Sequence, residues 1–173
     1  MNIRKATAAD IDAVSVIFED IHTEEEGGSV TIGWIRGVYP TRATAEAALA
    51  RDDLFVLEDG GFVLGSAVIN QVQVECYQEG AWQHSAPERE VMVLHTLVIS
   101  PKASRCGYGR TFVSFYERYA AENGCRYLRM DTNARNVRAR AMYKKLGYAE
   151  ADTVPCEFNG IPGVQLVLLE KKL

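Results

Sequence analysis

The chain has 173 residues, a net charge of −4, and 47% apolar and 24% charged residues, which suits one domain with a proper core and is short for two. Its four cysteines are scattered, with no Cys-x-x-Cys pair and no His at ligand spacing, which argues against a disulfide framework or a metal site. No signal peptide opens the chain and no apolar run approaches membrane-spanning length, so the expectation is a reduced, cytoplasmic protein.

Residues 2–6 suit an opening strand. Thr7 and Asp10 form a helix cap with its acidic partner. Ile11, Val14, Ile17, Phe18 and Ile21 then repeat at helical spacing until Glu24, Glu25, Glu26 and two glycines stop the helix. Three carboxylates oppose the dipole there, so a loose, solvated end is expected. Residues 30–40 mix glycine with Trp34 and Tyr39, either as a loop packed over a site or as a cap on the core. Thr41 can cap a short alanine-rich helix ending at Ala50. Residues 54–58 and 62–70 read as strands joined by Asp59-Gly60-Gly61, with a polar continuation to Tyr77. A loop containing Trp82 and His84 follows over 78–87.

The chain is organised around residues 91–119. A Val, Leu and Ile-rich run over 91–100 has the composition of a buried strand. Pro101 stops it. The loop Ser104-Arg105-Cys106-Gly107-Tyr108-Gly109-Arg110 then opens a helix with Phe112, Phe115, Tyr116, Tyr119 and Ala120 on one face. Two glycines at a strand-to-helix junction let backbone N–H groups approach a ligand, and a helix N-terminus attracts phosphate. A Rossmann turn would need a small residue where Phe112 stands, and a P-loop would need Gly-Lys-Ser/Thr. Neither fits. Residues 126–131 form the next strand, 132–136 lead into a helix ending at Leu146-Gly147, and strands 154–158 and 164–170 close the chain around Asn159-Gly160.

Between residues 101 and 145 eleven Lys and Arg stand against three acids, a local balance of +8 in a chain whose total is −4. A basic half beside an acidic half suits an anionic ligand on one side. No aromatic pattern of an RNA-binding motif accompanies the charges, so nucleic acid is not expected.

The Gly-x-Gly loop resembles the coenzyme A loop of the GNAT superfamily of N-acetyltransferases, written Gln/Arg-x-x-Gly-x-Gly/Ala, with Ser104 departing at the first place and Arg105 one residue later. Asn136, Ala139, Tyr143, Gly147 and Tyr148 are similar to that family's Asn-x-x-Ala-x-x-x-Tyr-x-x-x-Gly-Phe/Tyr segment, one strand downstream. The element order β-α-α-β-β-β-α-β-α-β-β is the one the family implies.

The resemblance covers essentially the whole chain, residues 1–173. It implies an α/β fold with a mixed, mostly antiparallel sheet, splayed at its middle strands and flanked by helices. It also implies acetyl-CoA as cosubstrate, no metal, a primary amine as acceptor, direct attack in a ternary complex, and a fold on which homodimers are common. By position, the Leu97 N–H faces the thioester oxygen, and Val98 and Ile99 contact pantetheine. Arg105, Cys106, Gly107, Tyr108, Gly109 and Arg110 hold pyrophosphate through their N–H groups, Asn136 bonds pantetheine, and Tyr143 lies near the sulfur as general acid. His95, two residues before Leu97 and expected on the same strand face, is the base candidate, against a buried histidine satisfied by a carbonyl. Trp34, Tyr39, Glu75 and Asp131 are candidate acceptor contacts, with Glu75, Asp131 and His84 as weaker bases. The alternative is a non-catalytic coenzyme A or small-molecule sensor on the same fold, which would lose the acid.

Overall fold

A computed structural model describes residues 1–173. The elements are β1 (Asn2–Lys5), α1 (Ile11–Glu26), α2 (Arg42–Ala50), β2 (Leu54–Asp59), β3 (Phe62–Asn70), β4 (Val91–Ile99), α3 (Tyr108–Glu122), β5 (Tyr127–Asn133), α4 (Val137–Lys145), β6 (Ala149–Phe158) and β7 (Ile161–Lys172). Seven strands form one sheet in the order β1-β2-β3-β4-β5-β7-β6. Every neighbouring pair is antiparallel except β4 with β5.

Alternation along the strands sorts the core onto two faces. Phe55, Leu57, Met92, Leu94, Leu128 and Met130 pack against α3 and α4. Leu54, Val56, Val68 and Val98 pack against α1 and α2, and β6 and β7 add a third cluster around Val91, Val93 and Leu168. The Phe112 and Tyr116 rings on α3 are completely buried, each burial stabilising by about 2–3 kcal/mol. The Tyr116 hydroxyl donates to the Met92 carbonyl at 2.6 Å and lies 3.1 Å from that of Arg129, clamping α3 over the place where β4 and β5 still pair.

That pairing is short. It runs from Val91↔Tyr127 to Leu94↔Met130 and stops, while β5 stays paired with β7 through Asn133. The cause lies in β4. Thr96 has φ +51, and the β3–β4 register goes from Val68↔His95 to Ser66↔Val98, one extra residue on β4. Such a bulge bends the strand and leaves its extra residue out of the ladder. Thr96 and Leu97 have no ladder partner on either side. The splay expected from the resemblance is therefore present.

Several boundaries and surroundings differ from the sequence reading. The polar stretch after β3 is not strand. It leaves the sheet at Asn70 and forms a single 3₁₀ turn over Glu75–Glu79. Its Trp82 faces the Arg129 guanidinium at 4.0 Å, whose Nη2 donates to the His84 carbonyl at 3.0 Å, so this segment is strapped to the back of β5. β6 and β7 run longer than their apolar residues suggest, because ladder pairing continues where one face meets water.

The C-terminal end of α1 is not loose. Glu25 accepts the N–H groups of Ile32 at 2.6 Å and Gly33 at 3.1 Å, and Glu26 pairs with Arg36 at 2.8 Å. Buried His22 donates from Nε2 to the Pro40 carbonyl at 2.9 Å. The three carboxylates sit against the dipole, but two of them are held by the loop that follows.

Candidate functional site

The splayed strands open a cleft of about 1100 Å³ between the β4 end, α3 and α4. Gly107 stands at the N-cap of α3, where its φ of +84 suits glycine, and no side chain caps the first turn. The N–H groups of that turn therefore point outward unpaired. Gly109 lies close to α4, where an added Cβ would meet Met142 Sδ at 3.3 Å. Arg105, Arg110, Arg138 and Lys145 line the same cleft. Other members of the basic half are neutralised within the chain, Arg140 by Glu150 at 2.7 Å and Lys102 by Asp20 at 2.7 Å. Four positive side chains thus gather in the larger cleft against a single lining acid, Glu24, which suits the phosphates of a nucleotide-bearing cosubstrate.

A second cavity of about 520 Å³ lies on the far side of the same opening. Trp34, Tyr39, Val68, Phe158, Ile161 and Leu166 provide apolar walls. Trp34 and Tyr39 meet edge to face, with ring centroids 6.0 Å apart. The two cavities share Ile32, Leu97, Asn136, Ala139 and Tyr143 in their linings. At that junction the Tyr143 ring is held edge-on by Tyr148 at 6.0 Å, and burial pushes its hydroxyl well above the usual phenol range, keeping it protonated.

Val98, Ile99, Arg105, Gly107, Tyr108, Gly109 and Arg110 all line the larger cleft. The Tyr108 hydroxyl turns away to donate to Asp59 at 2.8 Å, so that residue offers its backbone. Cys106 is exposed and outside the lining. Asn136 caps α4, accepting the Ala139 N–H at 3.2 Å and donating to Thr132 at 3.1 Å, which gives this motif residue a structural task as well. Trp34, Tyr39 and Asp131 line the smaller cavity, whereas Glu75 is exposed and lies outside both. His84 sits 3.4 Å from Glu170, on the strapped segment.

His95 lines the smaller cavity but does not share a face with Leu97, which corrects the expectation. Parity fails at the bulge. His95 pairs with Val68 on the α1 and α2 side, and Leu97 packs with the α3 and α4 cluster. Its Nε2 lies 3.2 Å from Asn70 Oδ1 and 3.1 Å from the Val72 carbonyl, and burial lowers its pKa to about 4. Asp131 behaves oppositely. Burial raises its carboxyl to about 6, while the Tyr77 hydroxyl donates to Oδ2 at 2.7 Å. Tyr77 and Thr96 are the site residues missed from sequence. A tyrosine ending a polar stretch and a threonine inside a β-branched strand carry no local signal of either role.

The family model of the acetyltransferase (GNAT) family matches residues 17–148. The chain belongs to the GNAT family. A curated relative, the uncharacterized N-acetyltransferase YhfO of Bacillus subtilis strain 168, is 26% identical over 152 residues, 87% of this chain and 91% of that protein. A GNAT acetyltransferase from Streptococcus agalactiae 2603 superposes with a TM-score of 0.84 at 22% identity, covering 99% of this chain and 95% of the other. YncA of Salmonella typhimurium, solved with its cofactor acetyl-CoA, superposes at 0.68 with 17% identity, covering 100% and 94%. The splayed β4–β5 pair and the glycine loop are thus set in a GNAT fold, and the chain is an N-acetyltransferase.

Proposed function

We propose that this protein moves an acetyl group from acetyl-CoA to the nitrogen of a primary amine, by direct attack while both substrates are bound. The observation that carries the reading is the junction of the two cavities at Ile32, Leu97, Asn136, Ala139 and Tyr143. One cavity suits a long anionic donor, the other a small acceptor, and they meet at a backbone free of the sheet ladder and a protonated tyrosine.

In this reading the phosphates lie on the α3 N-terminus and its arginines, with the pantetheine arm along the open edge of β4. The Leu97 N–H, without a ladder partner, serves as a fixed donor to the thioester oxygen as charge develops there. Tyr143 protonates the departing sulfur. The YncA structure, which holds acetyl-CoA on the same fold, supports the choice of donor. Gly107→Asp tests it by placing a carboxylate and a Cβ at the φ +84 position opening α3. The variant should lose most of its calorimetric affinity for acetyl-CoA and its thiol release in the presence of an amine panel. Unchanged affinity would overturn the placement.

A further inference from the structure

We propose that the acceptor is a small primary amine on an apolar, aromatic-sized body, and that Asp131, positioned by Tyr77, binds its nitrogen and takes its proton. The inference rests on the acetyl-transfer reading above and adds the substrate class and the proton acceptor. The cavity of about 520 Å³ is within the range that encloses a small molecule. Its only acid is Asp131. Arg51, its one guanidinium, is half-exposed and already paired with Asp53 at 3.0 Å. A polyamine or aminoglycoside would bring several cations to a single carboxylate. An amine with one charge and an apolar body matches the walls and the charge count.

Asp131 keeps some accessible surface, although the protein around it is closed, so what it faces is the cavity. Tyr77 holds Oδ2, and Oδ1 is left for a ligand. The titratable groups around it are Tyr77 from the 3₁₀ turn, Tyr39 from the loop after α1, Tyr143 from α4, Cys156 from β6 and His95 from β4. Burial raises Tyr39 to about 12 and Cys156 to about 12, and it depresses His95, so all but Asp131 are neutral through the working range. Asp131, near 6, is about a hundredfold stronger as a base than an ordinary carboxylate.

The protons balance. The bound ammonium gives one proton to Asp131, exposing the lone pair. The N–C bond forms and the C–S bond breaks. Tyr143 protonates the sulfur and recovers the second nitrogen proton. Asp131 releases its proton to water with the products.

The test measures thiol release from acetyl-CoA with 2-phenylethylamine, spermidine and a tetrapeptide bearing a free N-terminus, over pH 5–9. The expected kcat/KM is at least about tenfold higher for 2-phenylethylamine than for the others. Asp131→Asn should lower kcat/KM by about 10²–10⁴-fold and abolish the acidic limb, with calorimetric affinity for acetyl-CoA retained. Tyr77→Phe removes a donor to the carboxylate and should move that limb to higher pH, which a merely structural role would not do. Preference for spermidine or the peptide overturns the substrate class. An acidic limb that survives Asp131→Asn, stays fixed in Tyr77→Phe, or disappears in His95→Gln overturns the assignment of the base. Wild-type protein that fails to bind acetyl-CoA removes the parent reading, and this one with it.

Discussion

In the proposed reaction Tyr143 is the general acid, and its surroundings suit that task. Its ring is packed against Tyr148 and its hydroxyl is desolvated at the junction of the two cavities, so it holds its proton until a stronger base forms beside it. Tyr143→Phe keeps the ring and removes that proton. The expected result is a kcat lowered by about 10²-fold or more with acetyl-CoA affinity intact in calorimetry. Near-normal turnover of a chemistry-limited substrate would take Tyr143 out of the mechanism. Thr96 has a different kind of importance. Its positive φ produces the bulge, and its hydroxyl is hydrogen-bonded to that of Tyr39, so the residue that bends the strand also fixes one wall of the smaller cavity.

Among the elements, α1 and the loop after it border both cavities. Glu25 draws the Ile32 and Gly33 N–H groups down onto the helix end. Gly33 then lies against β5, where an added Cβ would come within 2.4 Å of Asn133 Nδ2 and where φ is +84. A larger residue would lift the loop. Glu25→Ala removes the acceptor for two backbone donors without touching the coenzyme cleft's basic groups. Residues 29–32 of that loop line the larger cleft and residues 32–34 the smaller one, so the expected outcome is a several-fold rise in KM for both substrates with faster amide exchange over residues 30–36. Unchanged constants for both would show that the loop keeps its place without Glu25.

On the scale of the whole molecule, the site is held at a cost in stability. An ordinary carboxylate titrates near 3.8, and Asp131 is raised to about 6 by burial. The folded state therefore binds this proton more tightly than the unfolded chain does. Its stabilising effect is complete below about pH 4 and is lost as pH rises through 6. Asp131→Asn keeps the shape and the Tyr77 contact without the ionisation. The variant should melt a few degrees higher than the wild type at pH 8, with the difference closing below pH 4. A variant that melts lower at pH 8 would show that the ionised carboxylate is stabilised rather than strained.

The element order, the glycine loop at the head of α3 and the α4 motif were legible in the residues alone, since these depend on local spacing and turn chemistry. The same was true of the two hairpin turns and the Thr7 and Thr41 caps. Which side chains face which cavity was settled only when distant segments packed together. One extra residue at Thr96 reverses the parity of β4, so His95 and Leu97 part although they are two apart. Asp131 acquires its shifted titration from burial, and its hydrogen-bond donor, Tyr77, lies 54 positions away in the chain. The end of α1 is made firm by a loop whose donors the helix could not announce. Periodicity reports which residues seek the core, but a bulge, a desolvated acid and a long-range clamp exist only once distant segments have met.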